Sequence, residues 1–289
     1  MSGKKLNMIR VRDAVVWTAL VAAIASLLFF SIRRKSNAEV KNIQVEIVSI
    51  NGGQQLISEK EIEEKINLAA GIKLSKASIK KLNLPSIEAK LSKDKRIERV
   101  DLYFDSKDVM HVRIIQRKPV LRVIEEAGAD YYLDENGKMI PVTTGNAIRV
   151  PIVSGIKTPY DPKFLDPDKS SKMKDIFTIM KYVSTDEFLS SLIEQVYVDS
   201  ESNGDIVLIP KLGKENLIFG GVEDMEDKFD KLKIFYKDGL PRLGWNRYKT
   251  LNLKYTQQIA GTLRDPKESK IKMPNKDTVQ VALKSDIIN

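Results

Sequence analysis

The longest uninterrupted apolar run of the chain lies near its start. Residues 14–32 read AVVWTALVAAIASLLFFSI, a stretch of 19 residues without a charge. As a helix rising 1.5 Å per residue, this run is about 28 Å long, close to the hydrocarbon thickness of a bilayer. A helix that is apolar on every face, with basic clusters at both ends, is typical of a membrane anchor. The pattern therefore predicts a transmembrane helix over residues 14–32, preceded by a short tail, 1–13.

A buried soluble helix and a cleaved signal peptide are two alternative interpretations of this run. Ser36-Asn37-Ala38 loosely resembles a small-residue cleavage site. The apolar run is longer than a usual signal core, however, and Arg33-Arg34-Lys35 precedes the site. We therefore favour an uncleaved anchor with a linker over 33–39. Basic residues flank the helix on both sides, so charge alone leaves its orientation open.

The pattern over residues 40–117 predicts a small α+β module. Val40–Ile50 alternates apolar and polar positions as a strand does. Ser58 with Glu61 three residues later forms the sequence signature of a helix N-terminus, and a second short helix is predicted after Pro85. Two alternating runs within 100–114 indicate a β-hairpin. The predicted order is strand, helix, helix, strand, strand, with the helices on one face of a three-stranded sheet.

Residues 118–263 show short alternating runs separated by turn signals, which predicts a β-rich domain with flanking helices. Apolar stripes at helical spacing predict helices around 173–180, 188–192 and 225–236. The tail, 264–289, is charged and weakly patterned, and we expect it to be flexible. The predicted strands are Val120–Ile124, Tyr131–Leu133, Ile148–Val153, Val196–Val198, Ile206–Ile209, Leu217–Phe219 and one long strand, Thr250–Leu263.

Charge and composition narrow the function classes. The formal net charge is +9, but residues 1–35 carry seven basic side chains against Asp13 alone, a net of +6, which leaves only +3 for the remainder. This excess flanks the apolar run rather than a folded groove with stacking aromatics, so it indicates a membrane and argues against nucleic-acid binding.

The residue types needed for common catalytic and metal sites are scarce. The chain has no cysteine and a single histidine, His111. Disulfides, thiolate catalysis and cysteine-bound zinc are thereby excluded, and histidine-based metal sites or proton shuttles are disfavoured. Acidic residues form no recognisable catalytic constellation, and no cofactor signature appears. The sequence thus favours a non-enzymatic protein without a cofactor or metal.

Several stretches resemble the FtsQ/DivIB family of bacterial cell-division proteins. They are RKPVLRV at 117–123, YYLDENGKMIPV at 131–142, RVPIVSG at 149–155 and LGWNRYKTLNLKYTQQI at 243–259. The resemblance implies that 40–117 is a POTRA domain and 118–263 the β domain of the family. It also implies a cytoplasmic N-terminus, an extracytoplasmic bulk at the division septum, and FtsB- and FtsL-like partners. It implies no role for the tail and leaves the oligomeric state open.

The last predicted strand is the candidate partner-binding site. If it is an edge strand, its backbone N–H and C=O groups can accept a further strand. In the family this region receives FtsB, and the basic-Tyr pair of the family matches Lys254-Tyr255. The resemblance suggests an acidic partner for Lys254. The candidate residues are Leu253, Lys254, Tyr255, Thr256, Gln257, Gln258, Ile259 and Ala260.

Other functions remain open on the sequence. An inert strand at 250–263 is the alternative to a binding edge, and the POTRA domain is either a second contact surface or a spacer. The alternative function is that of a POTRA-bearing, membrane-anchored assembly or secretion factor. A membrane-tethered hydrolase would need a nucleophile or metal constellation, and the sequence contains none.

Overall fold

The chain forms two compact units, residues 1–116 and 117–289, each with its own hydrophobic core. The structure is a computed structural model of mixed α+β class with one small and one large β-sheet. The described residues are 15–27 and 38–265 except 76, 144, 146 and 203, with the backbone alone at 51 and at 278–282.

Helix α1, residues 15–27, carries apolar side chains that the rest of the chain leaves exposed, such as Trp17 with 67% of its surface accessible. Within the described part of the chain, no helix has both the length and the apolar character needed to span a bilayer. Both ends of the predicted anchor, 14–32, lie outside the described residues.

The first unit places two helices against one face of a three-stranded sheet. Its strand order is β1-β3-β2, with β1 parallel and β2 antiparallel to the central strand. Apolar side chains of both helices meet those of β2 and β3 in one core. The elements are β1 (Asn42–Val48), a 3-10 turn (Asn51–Gly53), α2 (Glu59–Ala70), a second 3-10 turn (Ile79–Lys81), α3 (Leu84–Leu91), β2 (Ile97–Phe104) and β3 (Val109–Gln116).

The start of α2 confirms the predicted helix N-terminus. Ser58 Oγ accepts a hydrogen bond from the backbone N–H of Glu61 at 3.3 Å, which satisfies one of the unpaired donors of the first turn. The Glu61 carboxylate does not return to Ser58, as a full capping box requires, but pairs with the guanidinium of Arg96. Of the two hydrogen bonds of a capping box, only the one to Ser58 Oγ forms, because the Glu61 side chain pairs with Arg96 instead.

Arg96 links α2 to the start of β2. Its guanidinium donates to Asp94 Oδ2 at 2.7 Å, to Glu61 Oε2 at 3.1 Å and to the backbone carbonyl of Leu56 at 3.4 Å. Burial raises the pKa of Asp94, but hydrogen bonds from Arg96 and Lys65 outweigh it and hold that pKa well below its ordinary value. This cluster closes one end of the small core.

The second unit is built on a ten-stranded mixed sheet whose order is β13-β12-β11-β10-β9-β8-β7-β4-β5-β6. Helices α4 and α6 and the turn after α6 pack their apolar side chains into its core. The strands are β4 (Pro119–Glu125), β5 (Asp130–Asp134), β6 (Met139–Pro141), β7 (Ile152–Ile156), β8 (Ile193–Asp199), β9 (Asp205–Pro210), β10 (Asn216–Gly220), β11 (Tyr248–Asn252), β12 (Gln258–Leu263) and β13 (Thr278–Ala282). The helices are α4 (Lys172–Thr185), α5 (Glu187–Leu192), α6 (Met225–Ile234), a π turn (Phe235–Gly239) and α7 (Leu240–Leu243).

Most predicted strands of this unit form, but of the strand predicted over Ile148–Val153 only the last two residues are in a strand. The strand is β7, Ile152–Ile156, and begins just after Pro151. Gly155 lies inside this strand at φ +76°, and a Cβ there would approach the Val198 carbonyl oxygen to 2.9 Å. Glycine is needed here for close backbone approach, so it does not mark a strand end.

The long strand predicted over Thr250–Leu263 is also wrong. It is an antiparallel hairpin of β11 and β12, in which Leu251 pairs with Gly261 and Asn252 with Ala260. The chain reverses at Gln257, whose φ of +57° lies in the left-handed region. Alternation continues through both arms, so periodicity alone does not reveal the reversal.

The structure also contains a strand that the sequence analysis does not predict. Thr278–Ala282 lies within the segment expected to be a flexible tail, yet it pairs antiparallel with β12 over five residues. Its pattern is only five residues long and its neighbours in sequence are charged, so it falls below what periodicity can distinguish.

Candidate functional site

The β11–β12 hairpin carries the eight candidate residues, and its two strands pack closely. A Cβ at Gly261 would lie 2.6 Å from the ring of Tyr248, so only glycine lets the buried tyrosine lie across β12. Leu253, directly after β11, is fully buried and donates its N–H to the Ile218 carbonyl at 2.9 Å. The hairpin is therefore fixed to β10 as well as to its own second strand.

The candidate residues occupy three different environments. Leu253 is in the core, whereas Lys254, Tyr255, Thr256 and Gln257 form the connection between the strands. Gln258, Ile259 and Ala260 begin β12. Tyr255 is 48% exposed, because the chain leaves the strand conformation after Asn252.

Lys254 already has an acidic partner within the chain. Its Nζ lies 2.6 Å from Asp205 Oδ2 in β9, and its aliphatic part covers Gly220, where a Cβ would approach within 2.7 Å. The side chain keeps 42% of its surface accessible. An acidic partner residue at this position would have to share the lysine with Asp205 or replace it.

Lys231 in α6 holds the hairpin connection in place. Its Nζ donates to the backbone carbonyls of Tyr255 at 2.6 Å and Leu253 at 3.3 Å, and it pairs with Asp227 at 2.9 Å. Its side chain is only 5% exposed. Sequence reasoning missed this residue. The available signal was a lysine bordering the apolar stripe of α6, directly before Leu232.

A second buried lysine supports the neighbouring turn. Lys228 donates to the Gly221 carbonyl at 3.0 Å and lies over the ring of Phe219, 4.9 Å from its centroid. Burial lowers the pKa of Lys228, although Glu223 and Asp224 oppose that shift. Together, α6 and its two lysines make the hairpin connection a preorganised surface feature with Tyr255 at its tip.

The far side of β12 is covered by β13. The paired residues run from Gln258 opposite Ala282 to Thr262 opposite Thr278. Because β12 pairs with β11 on its other side, it is an interior strand of the described sheet, and β13 is the outermost strand at that end. The condition that the 250–263 region is an edge strand is therefore not met in the chain as it stands.

The described residues contain no group of three or more His, Asp or Glu side chains that could hold a metal ion. The site is instead a backbone hairpin with an exposed tyrosine at its turn and a strand pairing beside it. Extended strands, a preorganised turn and an exposed aromatic residue are features of sheet-based protein recognition. The chain is thus a two-unit α+β protein whose second unit carries this exposed turn on a large mixed sheet.

Comparison with known proteins identifies the family. Residues 118–262, half of the chain, match the family model described as FtsQ/DivIB, C-terminal related. The chain belongs to the FtsQ/DivIB family, as the sequence motifs predict, and its role is therefore in bacterial cell division with partners among the division proteins. No curated protein matches the chain.

Proposed function

We propose that the chain is a non-enzymatic, single-pass scaffold of the division machinery that binds FtsB- and FtsL-like partners through the β11–β12 hairpin. The partner adds an extended segment to β12, and residues Leu253–Ala260 supply the turn, the anchor and the first paired positions. The single observation that carries this proposal is the preorganised hairpin: Lys231 fixes its connection while Tyr255 stays exposed at its tip.

The first unit supports the same architecture. Its order of strand, helix, helix, strand, strand, with both helices on one sheet face, is the arrangement that the family resemblance implies for a POTRA domain over 40–117. The exposed apolar side chains of α1 support a membrane anchor over 14–32. We propose that the N-terminus is cytoplasmic and both units are extracytoplasmic, at the septum.

The test is the calorimetric affinity of the full chain for the FtsB-like protein of the same organism. Tyr255→Ala should weaken binding at least thirtyfold, because removing an aromatic anchor commonly costs about 2 kcal/mol. Tyr103→Ala is the matched control, since Tyr103 in the first unit is exposed to a similar extent, 54%. Circular dichroism confirms that each variant is folded.

A backbone variant complements the side-chain test. Gln258→Pro removes an N–H from the first position of β12 and should abolish binding if strand addition begins there. Proline at Gln257 is unsuitable, because its φ of +57° is incompatible with the proline ring. If folded Tyr255→Ala and Gln258→Pro chains bind as tightly as the parent, the partner binds elsewhere and the first unit becomes the next candidate.

A further inference from the structure

β13 occupies the side of β12 to which a partner strand would add. Five consecutive residue pairs join the two strands in antiparallel register, from Gln258–Ala282 to Thr262–Thr278. The pairing with β11 begins only at Ala260, so Gln258 and Ile259 pair with β13 alone. The strand pairing of Gln258 and Ile259 therefore depends on β13.

The connection to β13 is much longer than its geometry requires. Antiparallel neighbours are commonly joined by two to five residues, as β11 and β12 are by Leu253–Gln257. Fourteen residues, 264–277, separate β12 from β13. Because fourteen residues far exceed the length of a tight hairpin turn, chain connectivity alone does not force β13 to pair with β12. β13 is thus comparable to a tethered ligand.

The sequence of β13 matches the face pattern of β12. Directly opposed residues of an antiparallel pair share one face of the sheet. Val281 is at the register position opposite Ile259, and Val279 is opposite Gly261; both β12 residues are buried. Thr278 is opposite Thr262, which is exposed. The segment therefore has valines at the register positions opposite the two buried residues of β12, and Thr278, Gln280 and Ala282 at the alternate positions.

We propose that Thr278–Ala282 is a built-in competitor for β12, so that an extended partner segment binds there only by displacing it. The partner segment has the same chemistry as β13: antiparallel, with β-branched apolar residues opposite Ile259 and Gly261 and polar residues between them. That the partner is a division protein rests on the proposed function. The competition itself is a property of this chain.

The test uses the chain's own strand as the probe. A fluorescently labelled peptide of residues 276–284 is titrated against the full chain and against the full chain carrying Val279→Asp and Val281→Asp, with anisotropy as the readout. The charged variant disfavours pairing in cis and should bind the peptide at least tenfold more tightly than the parent. A peptide with the same two valines replaced by aspartate is the control and should bind neither chain.

A second variant and a second measurement keep the result decisive. A chain ending at Asp265 should bind the peptide as the charged variant does, and hydrogen exchange at Gln258 and Ile259 should be faster in both than in the parent. The proposal is overturned if all chains bind the peptide equally, or if exchange at these positions is unchanged. Because no division protein is present, failure of the proposed function would leave this result intact, and the reverse also holds.

Discussion

Arg96 in the first unit and Lys254 in the second are both cations held by carboxylates, but their surroundings differ. The Arg96 side chain is only 6% exposed, and it joins Asp94, Glu61 and the carbonyl of Leu56. Lys254 is far more exposed and has one carboxylate partner, Asp205. A cation with several partners in a core is part of the fold, whereas an exposed pair at a turn can exchange its partner on binding. We therefore expect Arg96 to stabilise the fold and Lys254 to be available for partner recognition.

The largest effect should follow removal of the first cation. Arg96→Met leaves Asp94 and Glu61 with Lys65 alone as a shared cation, and breaking a buried pair in this way costs about 3 kcal/mol. Arg99→Met is the control, because Arg99 is exposed and pairs with the partly exposed Asp101. Urea unfolding, monitored by hydrogen exchange in β3, measures the loss of unfolding free energy in the first unit. If both variants lose equally little, the Arg96 cluster does not stabilise the first unit.

Acid should weaken the same cluster. Since the folded pKa of Asp94 is depressed below its ordinary 3.8, its contribution is fully present above that value and is lost as the pH falls through the folded pKa. Asp94→Asn should cost about 2 kcal/mol at neutral pH and flatten the decline of first-unit stability below pH 5. Equal pH dependence of parent and variant would show that other carboxylates cause the decline.

In the second unit, Lys231→Met should loosen the hairpin connection without unfolding the sheet. The variant leaves the carbonyls of Leu253 and Tyr255 without their donor, a loss of about 1.5 kcal/mol. Hydrogen exchange across residues 253–258 should quicken, whereas the exposed Lys237→Met should change nothing. Unchanged exchange in the Lys231 variant would mean that β10 and β12 alone hold the connection.

The smallest effect should be at Lys254. Exposed ion pairs contribute about 0–1 kcal/mol, so Lys254→Met should lower the free energy of unfolding by less than about 1 kcal/mol. Urea denaturation of the full chain, compared with Asp205→Asn, measures it. A loss above about 2 kcal/mol would contradict the comparison, because it would make Lys254 a structural cation like Arg96.

The sequence predicts what is local and misses what depends on distant pairing. The start of α2 at Ser58 and the strand positions in β8 to β10 follow from caps and alternation, and they form. The reversal at Gln257 is missed because a non-glycine residue in a left-handed conformation leaves no compositional signal. Lys231 and β13 are missed for another reason. Their roles come from partners at least 16 residues away, which no periodicity records.

The candidate site shows the same limit. The sequence predicts one strand through Leu253–Ala260, but the tertiary structure divides this segment among core, turn and strand. The family motif marks the segment without specifying its conformation. Only the register with β11 and β13 shows that β12, the strand proposed to bind a partner, is already paired on both sides.

One measurement tests most directly whether a partner enters at β12 by displacing β13. Thr262 and Thr278 are directly paired, and the chain has no cysteine, so Thr262→Cys with Thr278→Cys places two thiols where an intramolecular disulfide would lock the two strands. Calorimetry with the FtsB-like protein compares the oxidised and reduced forms, with each single-cysteine chain as a control. The account predicts that oxidation weakens binding at least tenfold and that reduction restores it. Equal affinity of the locked and reduced chains would contradict it.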